Sequence, residues 1–431
     1  MNSVPAQTIR SFFNGALKDS DPDVAQLIHE EARRQSGRLQ LIASENFLSG
    51  AQLEAQGSLF NNTIIEGYPG ARLHGPSPQA DALEILAITR ACELFNTAFA
   101  NVQPHSGTQA NQAVFFALLA PGDTILSMSL TAGGHFSHGT KDNTAGLWLK
   151  VVHYGVSPDD GLIDYDAVER LARKNKPKLL IAGGSAYPRT IDFERMAKIA
   201  HDVGAKLMVD AAHVAGLITS GLFPNPLPHA DVMTMTTYKN LRGAQGGLIL
   251  CNDPALAKKI DDAVCPGVQG VPLAHVMAAK AVAFGEALKP AYKDYCTKVL
   301  ANARALGAAF ETAGIRLMTG GTDTPFIVAD IKSTGVAAPK AVTYLDTLGI
   351  SANAVFLPHD PADFAHASAL RLGTSALTTR GMGGAECDAI ADLIIGALNA
   401  LASGNEATYS PTAQGRVKDL CAAFPTYLTS V

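Results

Sequence analysis

One stretch of the chain places a lysine where its amine could act as a nucleophile. It runs Val232-Met-Thr-Met-Thr-Thr-Tyr-Lys-Asn-Leu-Arg-Gly-Ala-Gln-Gly-Gly247. An apolar strand leads into small hydroxyl residues, then Lys239, then a glycine-rich turn. A lysine at a strand end in a buried polar setting can lose its proton and form an imine with an aldehyde cofactor. The plain alternative is a surface lysine in a turn, and other segments must decide between the two. In Lys206-Leu-Met-Val-Asp-Ala-Ala-His-Val-Ala-Gly216, Asp210 directly follows a strand pattern. That puts it at the carboxyl edge of a sheet, where α/β folds bind ligands. A carboxylate there can pair with a protonated ring nitrogen and keep the ring an electron sink. His213 is close enough in sequence to reach the same ring. The alternatives are a turn-capping aspartate and a satisfied core histidine.

Two further segments add a phosphate site and a stacking group. Asn101-Val-Gln-Pro-His-Ser-Gly-Thr-Gln-Ala-Asn111 lies between a strand and a helix pattern. Ser106, Gly107 and Thr108 would offer hydroxyls and backbone N–H groups at a helix N-terminus, a natural anion site. Simple N-capping would explain the same residues. In Thr131-Ala-Gly-Gly-His-Phe-Ser-His-Gly139, paired glycines allow close backbone approach to a ligand, and His135 could stack on a flat ring.

These pieces must be held by regular elements. Apolar runs at 100–102, 124–128, 149–153, 179–182, 206–209, 232–235 and 247–250 predict strands. Helical patterns at 109–119, 165–174 and 193–203 fall between several of them. Strands alternating with helices indicate a mainly parallel sheet covered on both faces. A helical stretch over 276–302 leads into a second α+β unit, with strands at 325–330 and 368–371 and a helix at 386–401. The segment 351–369 reads as a long loop, often a functional feature in a compact enzyme. Residues 1–45, with a helical stretch at 24–34, read as an N-terminal arm. The expected division is this arm, a large cofactor-binding domain at 46–285 and a small C-terminal domain at 286–431.

Bulk properties narrow the function classes. The chain has 431 residues, 47% apolar and 17% charged, with a formal net charge of −5. That fits a soluble globular protein and gives no basic patch for nucleic acid. The start Met-Asn-Ser-Val-Pro-Ala-Gln lacks a basic then apolar leader, and no run is long enough for a membrane span. The six cysteines, Cys92, Cys251, Cys265, Cys296, Cys387 and Cys421, form no C-x-x-C pair. Neither a metal site nor a disulfide framework is expected, and a cytoplasmic setting is.

Taken in order, the motifs resemble the serine hydroxymethyltransferase family over nearly the whole chain. They include Leu41-Ile-Ala-Ser-Glu-Asn-Phe47, Glu66-Gly-Tyr-Pro-Gly70, Val102-Gln-Pro-His-Ser-Gly107, Gly133-Gly-His135, Val209-Asp210 with His213-Val-Ala-Gly216, and Leu370-Arg-Leu-Gly-Thr374. The resemblance implies an α/β, fold-type I, aminotransferase-like architecture: a mainly parallel seven-stranded sheet plus a smaller C-terminal α+β domain. It implies a homodimer or dimer of dimers with shared active sites, an amino acid as substrate, pyridoxal 5'-phosphate as cofactor and tetrahydrofolate as co-substrate. Carried over by position, Lys239 holds the cofactor, Asp210 meets the ring nitrogen and His213 lies near the 3-hydroxyl. His135 stacks on the ring, and Ser185 is close to it. Ser106, Gly107 and Thr108 bind the phosphate, with Gln269 and Gly270 contributed by a neighbouring subunit. Ser44 and Arg371 hold the substrate carboxylate, a task suited to a guanidinium's paired donors. Glu66, from the neighbouring subunit, is the acid/base carboxyl. Leu130, Gly134 and Phe136 match a folate-lining region.

The chain departs from the family pattern at several of these places. Ile64 stands where a tyrosine precedes the glutamate, and Leu73 and His74 replace a tyrosine pair. Tyr238 replaces a histidine before the lysine and joins Lys239, Glu66 and His135 as a catalytic candidate. Gln245 replaces an arginine, and Val271 breaks a glycine pair after Gln269. The loop Pro358-His-Asp-Pro-Ala-Asp-Phe-Ala-His366 replaces a segment usually rich in proline and serine. Ile64 and His74 therefore belong with the substrate-binding candidates. The expected reaction is reversible Cα–Cβ cleavage of a β-hydroxy-α-amino acid, α-methylserine or serine, with transfer of the one-carbon unit to tetrahydrofolate. A tetrahydrofolate-independent aldolase or transaldolase is the neighbouring alternative. A non-catalytic paralogue serving as a scaffold is the alternative of another class.

Overall fold

The computed structural model describes residues 13–358 and 360–427. The first part of the expected arm and the start of the chain lie outside the described residues, as does His359 of the substituted loop. The strands, in chain order, are β1 (Leu39–Gln40), β2 (Gly67–Tyr68), β3 (Ala71–Arg72), β4 (Phe99–Asn101), β5 (Thr124–Met128), β6 (Lys150–Tyr154) and β7 (Leu179–Ala182). They continue with β8 (Lys206–Asp210), β9 (Val232–Thr236), β10 (Gly247–Cys251), β11 (Phe326–Asp330), β12 (Ile350–Ser351), β13 (Asn353–Val355) and β14 (Ala369–Gly373).

Seven of them form one sheet in the order β4-β10-β9-β8-β7-β5-β6. The pairs among β5 to β9 are parallel, and β10 runs antiparallel to both β9 and β4. This is the aminotransferase-like fold-type I arrangement that the resemblance implies. The strand sequences explain it. β7, β9 and β10 are buried along their whole length, as strands covered on both faces must be. Alternate residues then feed opposite faces. Leu180 and Met233 enter one core with Phe284 and Phe95. Leu179, Ile181 and Val232 enter the other with Phe115 and Ile260.

Helices cover both faces and are capped by the residues that start them. Asp164 accepts from Ala167 N and Asp192 from Arg195 N, so each donates an acceptor to a helix start that lacks one. The carboxyl ends of β7, β8 and β9 fall at one edge of the sheet. β4 runs in the same sense as β9, so the loop after Asn101 emerges there too.

A second sheet, β11-β14-β13, is antiparallel and packs with the helices Pro290–Thr312 and Gly384–Ser403. Three expectations need correction. The helical stretch over 276–302 is two helices, Ala274–Ala287 and Pro290–Thr312. Lys289 is extended because the ring of Pro290 disfavours a helical residue before it, and Pro290 then starts the next helix. The segment 351–369 is not one loop, since β13 and a short 3-10 turn at Phe364–His366 lie inside it. The end of the expected arm is built into the C-terminal core. β1 pairs in parallel with β12, and Leu39 and Leu41 are fully buried.

Candidate active site

Nine of the sequence candidates line one cavity at the carboxyl edge of the sheet. They are Ser106, Gly107, Thr108, His135, Ser185, Asp210, His213, Tyr238 and Lys239. Asn111, His138, Gly184, Ala212 and Thr236 complete the lining.

Lys239 sits in the turn after β9, and its backbone carbonyl accepts from Arg242 N and Asn46 Nδ2. Its side chain is buried, with Nζ 3.1 Å from His213 Nε2. Burial penalises the ammonium, and the amine's pKa is lowered from the usual lysine value to about 8, against the opposing pull of Asp210. The lysine is thus poised to act as a neutral nucleophile. His213 is itself held well below its ordinary pKa by burial and by the Lys239 charge, and its ring meets Phe326 edge-on at 5.4 Å.

Asp210 ends β8 inside the cavity. Burial pushes its carboxyl up, but hydrogen bonds from His138 and Asn111 and the nearby histidines outweigh that and hold it well below the usual range. Oδ2 lies 2.9 Å from His138 Nε2 and accepts from Asn111 Nδ2 at 3.0 Å. Oδ1 accepts from Ala212 N at 3.1 Å, so the turn-capping alternative is also real. A carboxylate held ionised in this way suits a cationic ring nitrogen.

The loop after β4 carries the candidate anion-binding residues. Ser106 caps the helix Gly107–Leu118 by accepting from Gln109 N, which leaves its hydroxyl proton free to donate. A Cβ on Gly107 would stand 2.6 Å from Thr236 Cγ2, so only glycine lets the two elements close around this corner. Thr236 Oγ1 is buried with no protein partner among the described residues. A buried hydroxyl left unpaired costs free energy unless a ligand meets it. The orphan hydroxyl beside a helix N-terminus fits a phosphate group.

His135 and Ser185 are brought together by the paired glycines. Gly133 has φ +104°, and a Cβ there would meet Ala186 C at 2.8 Å. The gap is filled by backbone, with Ser185 N and Ala186 N both donating to Gly133 O. Burial and the neighbouring His138 lower the pKa of His135 to about 4, so its ring is neutral at pH 7. A neutral flat ring at the cavity wall fits stacking. Together these features fit pyridoxal phosphate, with Lys239 for the aldehyde, Asp210 for the ring nitrogen, and Ser106, Gly107, Thr108 and Thr236 for the phosphate.

Arg371 reaches the cavity rim from β14. Its Nη1 donates to Ser185 O at 2.6 Å and its Nη2 to Asn353 Oδ1 at 2.8 Å. Both partners are neutral. Nε is buried with no partner among the described residues, and burial lowers the guanidinium's pKa to about 10. A desolvated cation with donors to spare is suited to a carboxylate. Ser44 is half-buried in the turn that precedes Asn46, and that turn packs on β14, where a Cβ on Gly373 would meet Ala43 Cα at 2.5 Å.

The other candidates do not line the cavity of this chain. Glu66 Oε2 is 2.9 Å from His74 Nε2, and a Cβ on Gly270 would stand 3.2 Å from Glu66 Oε1. Ile64 is 59% exposed, beside this group. Gln269 Nε2 donates to Gln103 O and its Oε1 accepts from His105 N, so it packs behind the phosphate loop. Gln245 is exposed, so the arginine it replaces is not missing from the cavity lining. Leu130 and Gly134 sit in the glycine turn, and Phe136 is 47% exposed, its ring 6.0 Å from that of Phe364.

Sequence reasoning passed over His138, Asn111, Thr236 and Asn353. His138 and Asn111 close the very segments singled out for His135 and Ser106, and their shared target, Asp210, is distant in sequence. Thr236 was visible only as one of several strand hydroxyls.

A family model described as serine hydroxymethyltransferase matches residues 17–394. The chain is 51% identical to a serine hydroxymethyltransferase of Acidiphilium cryptum, over 98% of this chain and 99% of that one. It is also 51% identical to one of Rhodospirillum centenum, with the same coverage. Serine hydroxymethyltransferase 2 of Ralstonia nicotianae is 50% identical over 97% of this chain and 99% of its own. Motifs, fold, cavity and relatives agree, and the chain belongs to the serine hydroxymethyltransferase family.

Proposed function

We propose that this chain is a pyridoxal-phosphate hydroxymethyltransferase that reversibly cleaves the Cα–Cβ bond of serine and passes the one-carbon unit to tetrahydrofolate. The observation that carries this reading is Arg371, a buried guanidinium that has an unpartnered Nε and donates to Ser185 at the wall of the cavity holding Lys239 and Asp210. It supports an α-amino acid bound by its carboxylate next to an amine-anchored cofactor. A fold kept only as a scaffold has no use for such a costly buried cation.

Each residue then has a task. Lys239 would hold the cofactor through its amine. Asp210, fixed by His138 and Asn111, would face the ring nitrogen and favour its protonated form. When bound, pyridoxal phosphate supplies the electron sink for the pair left on the α-carbon. Arg371 and Ser44 orient the carboxylate, which fixes the bond that is to break. Glu66, Ile64, His74 and Gly270 lie off this chain's cavity, which supports their use in the site of a second copy, whereas Gln269 spends both ends of its amide on the phosphate loop of its own chain. There Glu66 would exchange the proton of the β-hydroxyl. Leu130, Gly134 and Phe136 line the approach for tetrahydrofolate.

A second reading, α-methylserine as substrate, is favoured by one feature. Ile64 and His74, which replace tyrosines, flank Glu66, and His74 hydrogen-bonds to it. These changes alter the surface that meets the α-carbon side of the substrate. The test is a panel of serine, α-methylserine and threonine, each with and without tetrahydrofolate. Serine turned over best with folate supports the first reading. α-Methylserine preferred over serine replaces it with the second, and turnover of none refutes both.

A further inference from the structure

Two buried basic side chains each bridge the carbonyls on either side of one residue. Arg72 Nη1 donates to Ile65 O at 2.9 Å and to Gly67 O at 2.7 Å, the two carbonyls that flank Glu66. Lys280 Nζ donates to Val102 O at 2.7 Å and Pro104 O at 3.0 Å, the two that flank Gln103, and to Gly247 O at 2.9 Å. Its three N–H donors thus meet three carbonyls. Gln103 stands in the loop that leads to Ser106, where the phosphate site begins.

Glu84 joins the two clamps. It is 1% exposed, on the helix Pro78–Phe95. Its Oε2 accepts from Arg72 Nη2 at 2.6 Å, and its Oε1 accepts from Gln103 Nε2 at 2.7 Å. Gln103 Nε2 also donates to Gly67 O at 3.0 Å. Asp81 takes the remaining side of Arg72 through Nε at 2.8 Å. Burying the Arg72–Glu84 pair is costly in itself and does not argue for stability. What it supplies is a fixed geometry, because Arg72 Nη1 ends on the two carbonyls that flank Glu66 while Gln103 Nε2 ties Gly67 O and Glu84 to the loop that leads to the phosphate site.

We infer that Glu84, with Arg72 and Gln103, is a positioning device that sets Glu66 by reference to the cofactor-phosphate loop of its own chain. This rests on the proposed acid/base role of Glu66. Since Glu66 does not line the cavity of its own chain, the device lets the loading of one site order the acid/base residue destined for another. Removal of the Glu84 charge frees Arg72 to swing and loosens Ile65–Gly67 while Lys239, Asp210 and Arg371 stay in place.

The test uses purified holoenzyme and its cofactor-free form, with Glu84→Gln, Arg72→Lys and Glu66→Gln variants. The two clamp variants should lose at least tenfold in kcat for serine cleavage with KM changed less than threefold. Hydrogen exchange over residues 64–74 should slow on cofactor loading in the wild type and should not slow in Glu84→Gln. A charge that serves only packing would lower the melting temperature without that split and without changing the exchange response. Arg72→Lys stands in if Glu84→Gln does not fold. An impaired Glu66→Gln with clamp variants that keep wild-type kcat and exchange response overturns the inference alone. A fully active Glu66→Gln overturns the acid/base reading instead.

Discussion

Replacement of Arg371 by lysine separates charge from shape at the carboxylate site. In the native structure the guanidinium spends one N–H on Ser185 O and one on Asn353 Oδ1, and keeps Nε free. A carboxylate can then be met by a pair of parallel donors. Lysine keeps the positive charge but presents a single rotating ammonium, and it cannot meet Asn353, Ser185 and substrate at once. Loss of one hydrogen bond to a charged group costs ~1.5–3 kcal/mol. At 1.4 kcal/mol per tenfold, the dissociation constants for glycine and serine should rise roughly 10- to 150-fold. The assay is spectroscopic titration of the bound cofactor with each amino acid, run beside a measurement of cofactor retention. Retention should be unchanged, because the proposed phosphate and ring contacts come from the residues at the ends of β4, β5, β7, β8 and β9 rather than from β14. Amino-acid affinity within threefold of wild type would refute the carboxylate assignment. Parallel loss of cofactor and amino-acid affinity would show a collapsed site instead.

Four more outcomes follow from the same cavity. Recombination of cofactor-free enzyme with pyridoxal phosphate should speed up with pH and level off near 8, where Lys239 becomes neutral; a rate still climbing towards 10 contradicts the burial argument. The same shift sets a stability sign. Between about 8 and 10.5 the unfolded chain holds the lysine proton and the folded chain does not, so the folded state gains with rising pH. Cofactor-free Lys239→Met should therefore be more stable than wild type at pH 7 by roughly 3 kcal/mol, with the gap closing across that window in denaturant melts. Thr236→Val should weaken cofactor binding by roughly tenfold or more while leaving the cofactor-free melting temperature unchanged or raised, since the lost hydroxyl is unpaired there. Equal binding would remove Thr236 from the phosphate site. Asp210→Asn should retain cofactor yet lose about 100-fold in kcat, on the order of the ~3 kcal/mol lost when one member of a buried pair is neutralised; a loss under fivefold would refute its role.

Much of this site was legible because its residues sit at element ends. Asp210 ends a strand pattern, Lys239 follows one closely and Ser106 lies between a strand and a helix, so the carboxyl edge of the sheet gathers them without any knowledge of contacts; His135 was marked by the paired glycines before it. The rest was hidden for two physical reasons. Partners such as His138 for Asp210 and Asn353 for Arg371 meet through space, and no local pattern marks such a pair. Short elements also carry weak signals. β13 has three residues inside a stretch rich in Pro, Asp and Ala, and it reads as loop until β14 is there to pair with it. The break before Pro290 was different, since proline punctuation was present in the sequence and amphipathic periodicity ran across it.

Three of the departures from the family pattern share one location once the fold is known, and the others do not. Gln245 is on the surface, and Val271 contributes only its carbonyl, which lies 3.0 Å from His105 Nε2. Neither touches the cavity. Tyr238 does line it, directly before Lys239. Ile64, Leu73 and His74 all stand on the short segment that carries Glu66, and they are 59%, 67% and largely exposed in the single chain. Two large apolar side chains that far exposed on either side of a carboxylate are poorly placed to stabilise their own chain. They are well placed to form the wall of a site completed by a second copy. The groups proposed to anchor cofactor and carboxylate thus gather around one cavity, while Ile64, Leu73 and His74 belong to the segment that the Arg72 clamp holds in place. On this argument substrate choice can change without disturbing Lys239, Asp210 or Arg371. It also explains why Arg72 stays amid substitutions at Ile64, Leu73 and His74: a rebuilt wall still needs its carbonyls pinned.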